Sequence, residues 1–152
     1  MLMEDDPDSG TETDIEGQAC GVIPARLEHI LVIDDDITQT EILSHLLAKQ
    51  GYRVSVASTC KDGYAVANSE KVDLILLDIG MPDGDGLEVC SDFSDGEMTS
   101  EIPVIIVSGM EQPSVVRRAR AAGCHYYLRK PYDPNALLLL AQNAIAESTD
   151  CC

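Results

Sequence analysis

The chain has 152 residues and a hydrophobic content of 45%, which is enough for one domain with a single core. Its formal net charge of -17 argues against direct contact with nucleic acid, because phosphate groups bind basic surfaces. No apolar run is long enough to cross a bilayer, and no basic residue precedes Arg26, as one would in a secretory signal. These features predict a cytoplasmic protein that acts away from membranes.

An acidic segment comes first. Residues 1–26 carry seven carboxylates among Gly, Ser, Thr and Pro, and they show no sustained hydrophobic period. This composition predicts a disordered leader. It is an interaction tail, an electrostatic shield or a solubilising extension without a partner, and we favour the last interpretation. Residues 27–148 are predicted to form the folded domain, and residues 149–152 a short tail.

Five short apolar segments alternate with helical patterns along the folded part. The predicted strands cover residues 29–33, 52–57, 72–77, 103–108 and 125–128. The predicted helices cover residues 37–50, 59–70, 87–93, 113–122 and 134–147. Because strands separated by helices form βαβ units with right-handed crossovers, this order predicts a parallel sheet with helices on both faces.

Helix boundaries carry recognisable signals. Asp36 can cap the first helix, and Asp133 can open the last one, since carboxylates accept hydrogen bonds from the free N–H groups of a first turn. Gly51 and Gly123 follow the predicted ends of the first and fourth helices. In contrast, His29, His45 and His125 match no catalytic or metal-binding spacing, and we interpret them as surface or edge residues.

Four of the predicted strands end in a chemically distinct side chain. Asp34 and Asp35 follow the first strand, and Asp78 follows the third. Ser108 ends the fourth strand, and Lys130 lies just beyond the fifth. Because all these ends share one edge of a parallel sheet, we expect carboxylates, a hydroxyl and an ammonium group to meet there.

Crowded carboxylates repel one another unless a cation joins them. Carboxylate and carbonyl oxygens are typical ligands of Mg²⁺. A carboxylate can also attack phosphorus and form an aspartyl phosphate, whose charged oxygens an ammonium and a hydroxyl group can contact. The pattern therefore favours phosphoryl transfer to Asp78.

At these motifs the sequence resembles the receiver domain of two-component response regulators, over roughly residues 28 to 147. The matching motifs are Ile30 to Asp36, Leu76 to Pro82 with Asp85-Gly86, Pro103 to Ser108, and Lys130-Pro131. Four motifs in the right order are far more specific than one. The resemblance implies a flavodoxin-like, doubly wound α/β fold with five parallel strands in the order 2-1-3-4-5.

The resemblance also implies roles for the residues at the strand ends. Asp78 matches the phospho-acceptor, and Lys130 matches the lysine that contacts the phosphoryl group. Asp34 and Asp35 match the metal-binding pair, which would hold Mg²⁺ together with Asp78 and the carbonyl of Gly80.

Further matches concern the switch and the neighbouring loop. Ser108 matches the hydroxyl that contacts the phosphoryl group and takes part in catalysis and switching, and Tyr127 falls where the family has an aromatic switch residue. The bond before Pro131 is expected to be cis. Gly84 stands where the family usually has Met, which puts the rigidity of that loop in question.

The resemblance implies a stand-alone regulator that is phosphorylated by a sensor histidine kinase or a phosphotransfer protein. It is primarily a signalling switch, whether or not its phosphotransfer and dephosphorylation count as enzyme activity. The fourth helix, fifth strand and fifth helix would bind a downstream protein or a second copy, through a face that includes Arg117, Arg118, Arg120 and Arg129. A solvated helix face explains these arginines equally well. The alternatives are a phosphorylation-independent adaptor and a receiver fragment of a hybrid kinase or larger regulator.

Overall fold

The computed structural model describes residues 27–81, 83–110 and 112–149, so the predicted leader and residues 150–152 of the predicted tail lie outside the described residues. Five strands form one sheet: β1 (His29–Ile33), β2 (Arg53–Ala57), β3 (Leu74–Leu77), β4 (Val104–Ser108) and β5 (Tyr126–Arg129). Five helices alternate with them: α1 (Ile37–Lys49), α2 (Cys60–Ser69), α3 (Gly86–Asp95), α4 (Pro113–Ala121) and α5 (Pro134–Thr149). Each predicted element is present, with ends that differ by at most two residues.

All strands are parallel, and their order is β2-β1-β3-β4-β5. This confirms the predicted doubly wound, flavodoxin-like fold. β1, β3 and β4 are buried throughout, because helices cover both faces of the central strands. Among the described residues, no helix is both long and apolar enough to span a membrane.

The two faces of the sheet have separate cores. Alternate strand residues such as Ile33, Leu77 and Ile106 pack on one face with side chains of α2, α3 and α4. The intervening residues, such as Val32 and Leu76, pack on the other face with α1 and α5. Side chains alternate along a strand, so each central strand contributes to both cores.

The predicted caps are present. The side chain of Asp36 accepts a hydrogen bond from the N–H of Gln39 at the start of α1. At the start of α5, the N–H of Asn135 donates to Oδ1 of Asp133 at 2.9 Å. Gly123, just after α4, has a φ of 101°, a conformation that residues with a Cβ rarely adopt.

Of the two interpretations given for His29, a surface or an edge residue, the first is wrong. Its side chain is fully buried at the amino end of β1. Its Nε2 lies 2.7 Å from Oγ of Ser55 on β2, and its Nδ1 lies 3.0 Å from the carbonyl of Lys71 before β3. These partners are distant in sequence, so no local pattern reveals that the imidazole is enclosed.

Candidate functional site

The strand register brings the predicted site residues to one edge of the sheet. Ile33 of β1 pairs with Leu77 of β3, so the next residues, Asp34 and Asp78, are neighbours. The N–H of Asp78 donates to the carbonyl of Ile33 at 2.9 Å, which fixes the backbone at this point.

Residues from the other two strands meet at the same edge. Ser108, at the end of β4, pairs with Arg129 of β5, and Lys130 follows directly. The N–H of Lys130 donates to the carbonyl of Ser108 at 2.8 Å. The peptide bond between Lys130 and Pro131 is cis, as expected.

Three carboxylates form a tight cluster. Asp34, Asp35 and Asp78 each place a carboxylate oxygen within 4.8 Å of the others. Asp34 is buried, Asp78 is half-buried and Asp35 is exposed, so the cluster is open to solvent on one side. Hard oxygen ligands at this density suit Mg²⁺, which keeps some of its water when bound. The residues present therefore fit a magnesium ion.

Lys130 lies beside this cluster. Its Nζ is 3.2 Å from Oδ2 of Asp34 and 3.5 Å from Oδ2 of Asp78. Burial alone would lower the pKa of this ammonium group, but the nearby charges of Asp78 and Asp34 outweigh burial and raise it. Lys130 therefore remains charged, while the cluster retains an excess of negative charge.

The pKa of Asp78 is raised, chiefly because burial disfavours its charged form and also because Asp34 carries a like charge. A hydrogen bond from the N–H of Gly80 to Oδ1 at 2.9 Å and the charge of Lys130 oppose this shift. A cation bound beside Asp78 would therefore stabilise its charged form. The Gly80 carbonyl as a metal ligand remains a prediction.

Ser108 and Tyr127 connect to the same short loop. Oγ of Ser108 is buried and accepts a hydrogen bond from the N–H of Met110 at 3.0 Å. The hydroxyl of Tyr127 donates to the carbonyl of Met110 at 2.6 Å. Met110 therefore links the loop after β4 by hydrogen bonds to Ser108 at the end of β4 and to Tyr127 in β5.

Sequence reasoning missed how the loop after β3 is held. The carboxylate of Asp83 accepts hydrogen bonds from the N–H of Cys60 at 3.0 and 3.1 Å, at the start of α2. Asp85 caps α3 by accepting from the N–H of Leu87 at 2.9 Å. These bonds hold the loop on either side of Gly84 without the side chain that the family usually has there. The spacing between Asp83 and its partner in the sequence gave no signal of this contact.

The predicted partner-face arginines lie on α4 and at the end of β5. Arg117, Arg118, Arg120 and Arg129 are all exposed. The guanidinium of Arg118 lies 3.8 Å from the Asp85 carboxylate, so α4 contacts the loop before α3. Arg120 lines a groove of about 360 Å³ between α4, β5 and α5.

Comparison with known proteins agrees with this geometry. The family model "Response regulator receiver domain" matches residues 30–142. Protein PilH of Pseudomonas aeruginosa is 37% identical over 112 residues, which cover 74% of this chain and 93% of PilH. The transcriptional regulatory protein KdpE of Escherichia coli is 36% identical over 106 residues, which cover 70% of this chain but 46% of KdpE.

Solved structures show the same fold. The CheY-like receiver domain protein of Methanospirillum hungatei superposes with a TM-score of 0.78 at 28% identity, over 82% of this chain and 98% of that one. The chemotaxis protein CheY4 of Vibrio cholerae gives a TM-score of 0.74 at 26% identity, over 78% and 99% of the two chains. This chain belongs to the response regulator receiver domain family.

Proposed function

We propose that this receiver domain accepts a phosphoryl group on Asp78 in a magnesium-dependent reaction and thereby changes its binding to other proteins in the cytoplasm. The observation that carries the proposal is the cluster of Asp34, Asp35 and Asp78, with their oxygens within 4.8 Å, beside the Lys130 ammonium group. A fold gains nothing from three clustered carboxylates that repel one another, two of them removed from solvent wholly or in part. A site that binds a cation and an anionic group together requires such an arrangement.

Asp34, Asp35 and Asp78 would hold the magnesium ion, with the Gly80 carbonyl as a further ligand. When bound, Mg²⁺ neutralises negative charge on the oxygens of the carboxylates and of the transferred group. Lys130 supplies a second positive charge, at 3.5 Å from Oδ2 of Asp78. Both charges keep Asp78 ionised despite the burial that raises its pKa.

The donor is a phosphohistidine of a sensor histidine kinase or of a phosphotransfer protein. A carboxylate oxygen of Asp78 attacks phosphorus, the new O–P bond forms as the P–N bond breaks, and the electron pair stays on the donor imidazole. Lys130 contacts one oxygen of the transferred group and balances its charge. Ser108, at the end of the adjacent strand, supplies a hydroxyl to a second oxygen.

The same contacts couple the reaction to the surface. When the Ser108 hydroxyl turns to the phosphoryl group, it leaves the N–H of Met110, which it contacts at 3.0 Å in the structure. The carbonyl of Met110 is bonded to Tyr127, so movement of this loop shifts β5 and the adjacent α4. Phosphorylation thus biases the α4–β5–α5 face between two arrangements.

That face is the proposed binding surface for a downstream protein or for a second copy of this chain. It combines the exposed arginines of α4 with a groove that Arg120 and Leu140 of α5 both line. A stand-alone regulator is supported by the match to 93% of PilH. A receiver within a longer protein is supported by the match to 46% of KdpE.

The test is incubation with acetyl phosphate and Mg²⁺, followed by intact mass measurement. We expect one phosphoryl adduct, which Asp78→Asn removes and which chelation of magnesium prevents. Asp62→Asn, an exposed carboxylate on α2, is the matched control and keeps the adduct. A chain that gains no adduct contradicts the proposal and favours a phosphorylation-independent adaptor. An adduct that persists in Asp78→Asn contradicts the assignment of Asp78 as the acceptor.

A further inference from the structure

The solvent side of α4 concentrates positive charge on a strongly acidic protein. Residues 113–121 contain three arginines and no carboxylate, in a chain whose formal net charge is -17. Residues 117–130 hold five of the chain's ten lysines and arginines. A local excess of this kind attracts acidic segments while the remaining surface repels them.

The helix pitch spreads the three arginines across the whole exposed side. Ala119 is fully buried and marks the inner side of α4, so Arg117, two residues earlier, points outward. Arg118 lies on the flank next to Asp85, at 3.8 Å. Arg120 lies on the opposite flank, where it lines the groove against β5 and α5.

Two other cations of the described fold already have close carboxylate partners. Arg53 is 2.8 Å from Glu70, and Lys130 lies between Asp34 and Asp78. In contrast, the ion pair of Arg118 with Asp85 joins side chains that are 62% and 54% exposed, so solvent weakens it and an acidic competitor can displace it.

We propose that the acidic segment 4–16 of the same chain docks on the arginines of α4. This segment carries seven carboxylates and no basic residue. Residues 17–26 separate it from the fold, and ten residues can span up to roughly 33 Å. β1, where the fold begins, is three strands from β5, a lateral distance of roughly 14 Å, so the segment can reach α4. The tether keeps its effective concentration in the millimolar range, so weak individual pairs suffice.

Docking of this segment would occupy the α4–β5–α5 face and compete with its protein partner. That consequence rests on the proposed function, whereas the docking itself requires no phosphoryl group. Neutralising the segment would then increase binding to the downstream protein in both phosphorylation states.

The test uses the full chain, labelled with ¹⁵N and without any phosphodonor, so its failure is separate from failure of the proposed function. The variant neutralises the segment by Glu4→Gln, Asp5→Asn, Asp6→Asn, Asp8→Asn, Glu12→Gln, Asp14→Asn and Glu16→Gln. We expect backbone amide shifts in α4, larger than those in α1, at about 10 mM salt and their loss at about 1 M salt, where the Debye length falls to ~3 Å.

Two further variants give the matched controls. Arg117→Gln with Arg118→Gln and Arg120→Gln abolishes the response of α4 to segment neutralisation, whereas Lys49→Gln with Lys61→Gln preserves it. The segment variant leaves the described fold untouched, so its result stands even if the arginine variant does not fold. Unchanged α4 amides, or shifts that depend on protein concentration and therefore come from a second copy, overturn the proposal.

Discussion

Two polar clusters lie at opposite ends of the parallel strands, at the amino edge and the carboxyl edge of the sheet, and they differ in how completely their polar groups are paired. At the amino edge, His29 is fully buried, and both ring nitrogens have partners at 2.7 and 3.0 Å. Its backbone N–H donates to Oδ2 of Asp73 at 2.8 Å. At the carboxyl edge, Asp34, Asp35 and Asp78 form a cluster that is open to solvent on one side, and two of them, Asp34 and Asp78, contact the Lys130 ammonium group.

The difference separates a structural cluster from a chemical one. Buried polar groups that serve the fold are paired to completion, because each unpaired group costs free energy. A site that must receive a cation and an anion keeps charges unbalanced until they arrive. The first cluster should therefore respond to loss of a side chain with instability, and the second with loss of reaction or of metal binding.

The largest expected effect is on the amino-edge cluster. His29→Ala removes a fully buried ring and leaves the Ser55 hydroxyl and the Lys71 carbonyl without their partners. We expect the free energy of unfolding to fall by about 3 kcal/mol. Urea denaturation measures it. The matched control is His45→Ala, an exposed histidine on α1, which should change stability by less than about 0.5 kcal/mol. Equal losses of stability in the two variants would show that the buried hydrogen bonds of His29 do not stabilise the fold.

The next effect is on the rate of reaction at the carboxyl edge. Lys130→Met keeps most of the apolar stem but removes the charge that lies 3.5 Å from Asp78. Loss of one preorganised charge should slow phosphorylation by acetyl phosphate about 100-fold, or about 2.7 kcal/mol. Intact mass measured over time gives the rate. Lys49→Met, at the exposed end of α1, should react like the wild type. A Lys130→Met rate within a factor of about 3 of the wild type would remove this lysine from the mechanism.

The sequence predicted the carboxyl-edge cluster better than the amino-edge one, for a physical reason. Asp34, Asp78 and Lys130 each follow a strand, and parallel strands align their ends whatever the details of packing. The position of His29, however, depends on Ser55 and Lys71, which only the register of three strands brings together. The Asp83 contact with Cys60 was missed for the same reason, since 23 residues separate the two.

A smaller effect concerns the metal. If Asp34, Asp35 and Asp78 hold Mg²⁺, the ion binds the folded state and stabilises it. At a concentration about ten times the dissociation constant, the free energy of unfolding should rise by about 1.4 kcal/mol, with a Tm increase of roughly 5 °C. Asp35→Asn should abolish most of this increase, whereas Asp62→Asn on α2 should preserve it. Thermal unfolding with and without MgCl₂ measures both. An equal increase in all three proteins would indicate general ionic stabilisation.

The smallest expected effect is on the pH dependence of stability. It distinguishes Asp78 from Asp83, two neighbouring carboxylates whose pKa values are shifted in opposite directions. Burial raises the pKa of Asp78, so the folded state holds this proton more tightly than the unfolded chain does. Its contribution to stability therefore declines as the pH rises from 3.8 through the folded-state pKa. Hydrogen bonds from the N–H of Cys60 lower the pKa of Asp83, so its contribution is present above 3.8 and declines as the pH falls through the folded-state pKa.

The two carboxylates should thus respond in opposite directions to neutralisation. Without divalent ions at pH 7, Asp78→Asn should raise the free energy of unfolding, and Asp83→Asn should lower it. Both differences should shrink toward pH 3. The difference for Asp78 shrinks because its carboxyl group is then protonated in the folded and unfolded states alike, and the difference for Asp83 shrinks because the pH falls toward its lowered folded-state pKa. Urea denaturation from pH 3 to 7 in the presence of a chelator measures them. Magnesium should reverse the sign for Asp78 alone, because only the wild type then gains a bound cation. If Asp78→Asn destabilises the protein without magnesium, the negative charge of the carboxylate cluster is already compensated within the protein. The contrast between the two clusters then fails.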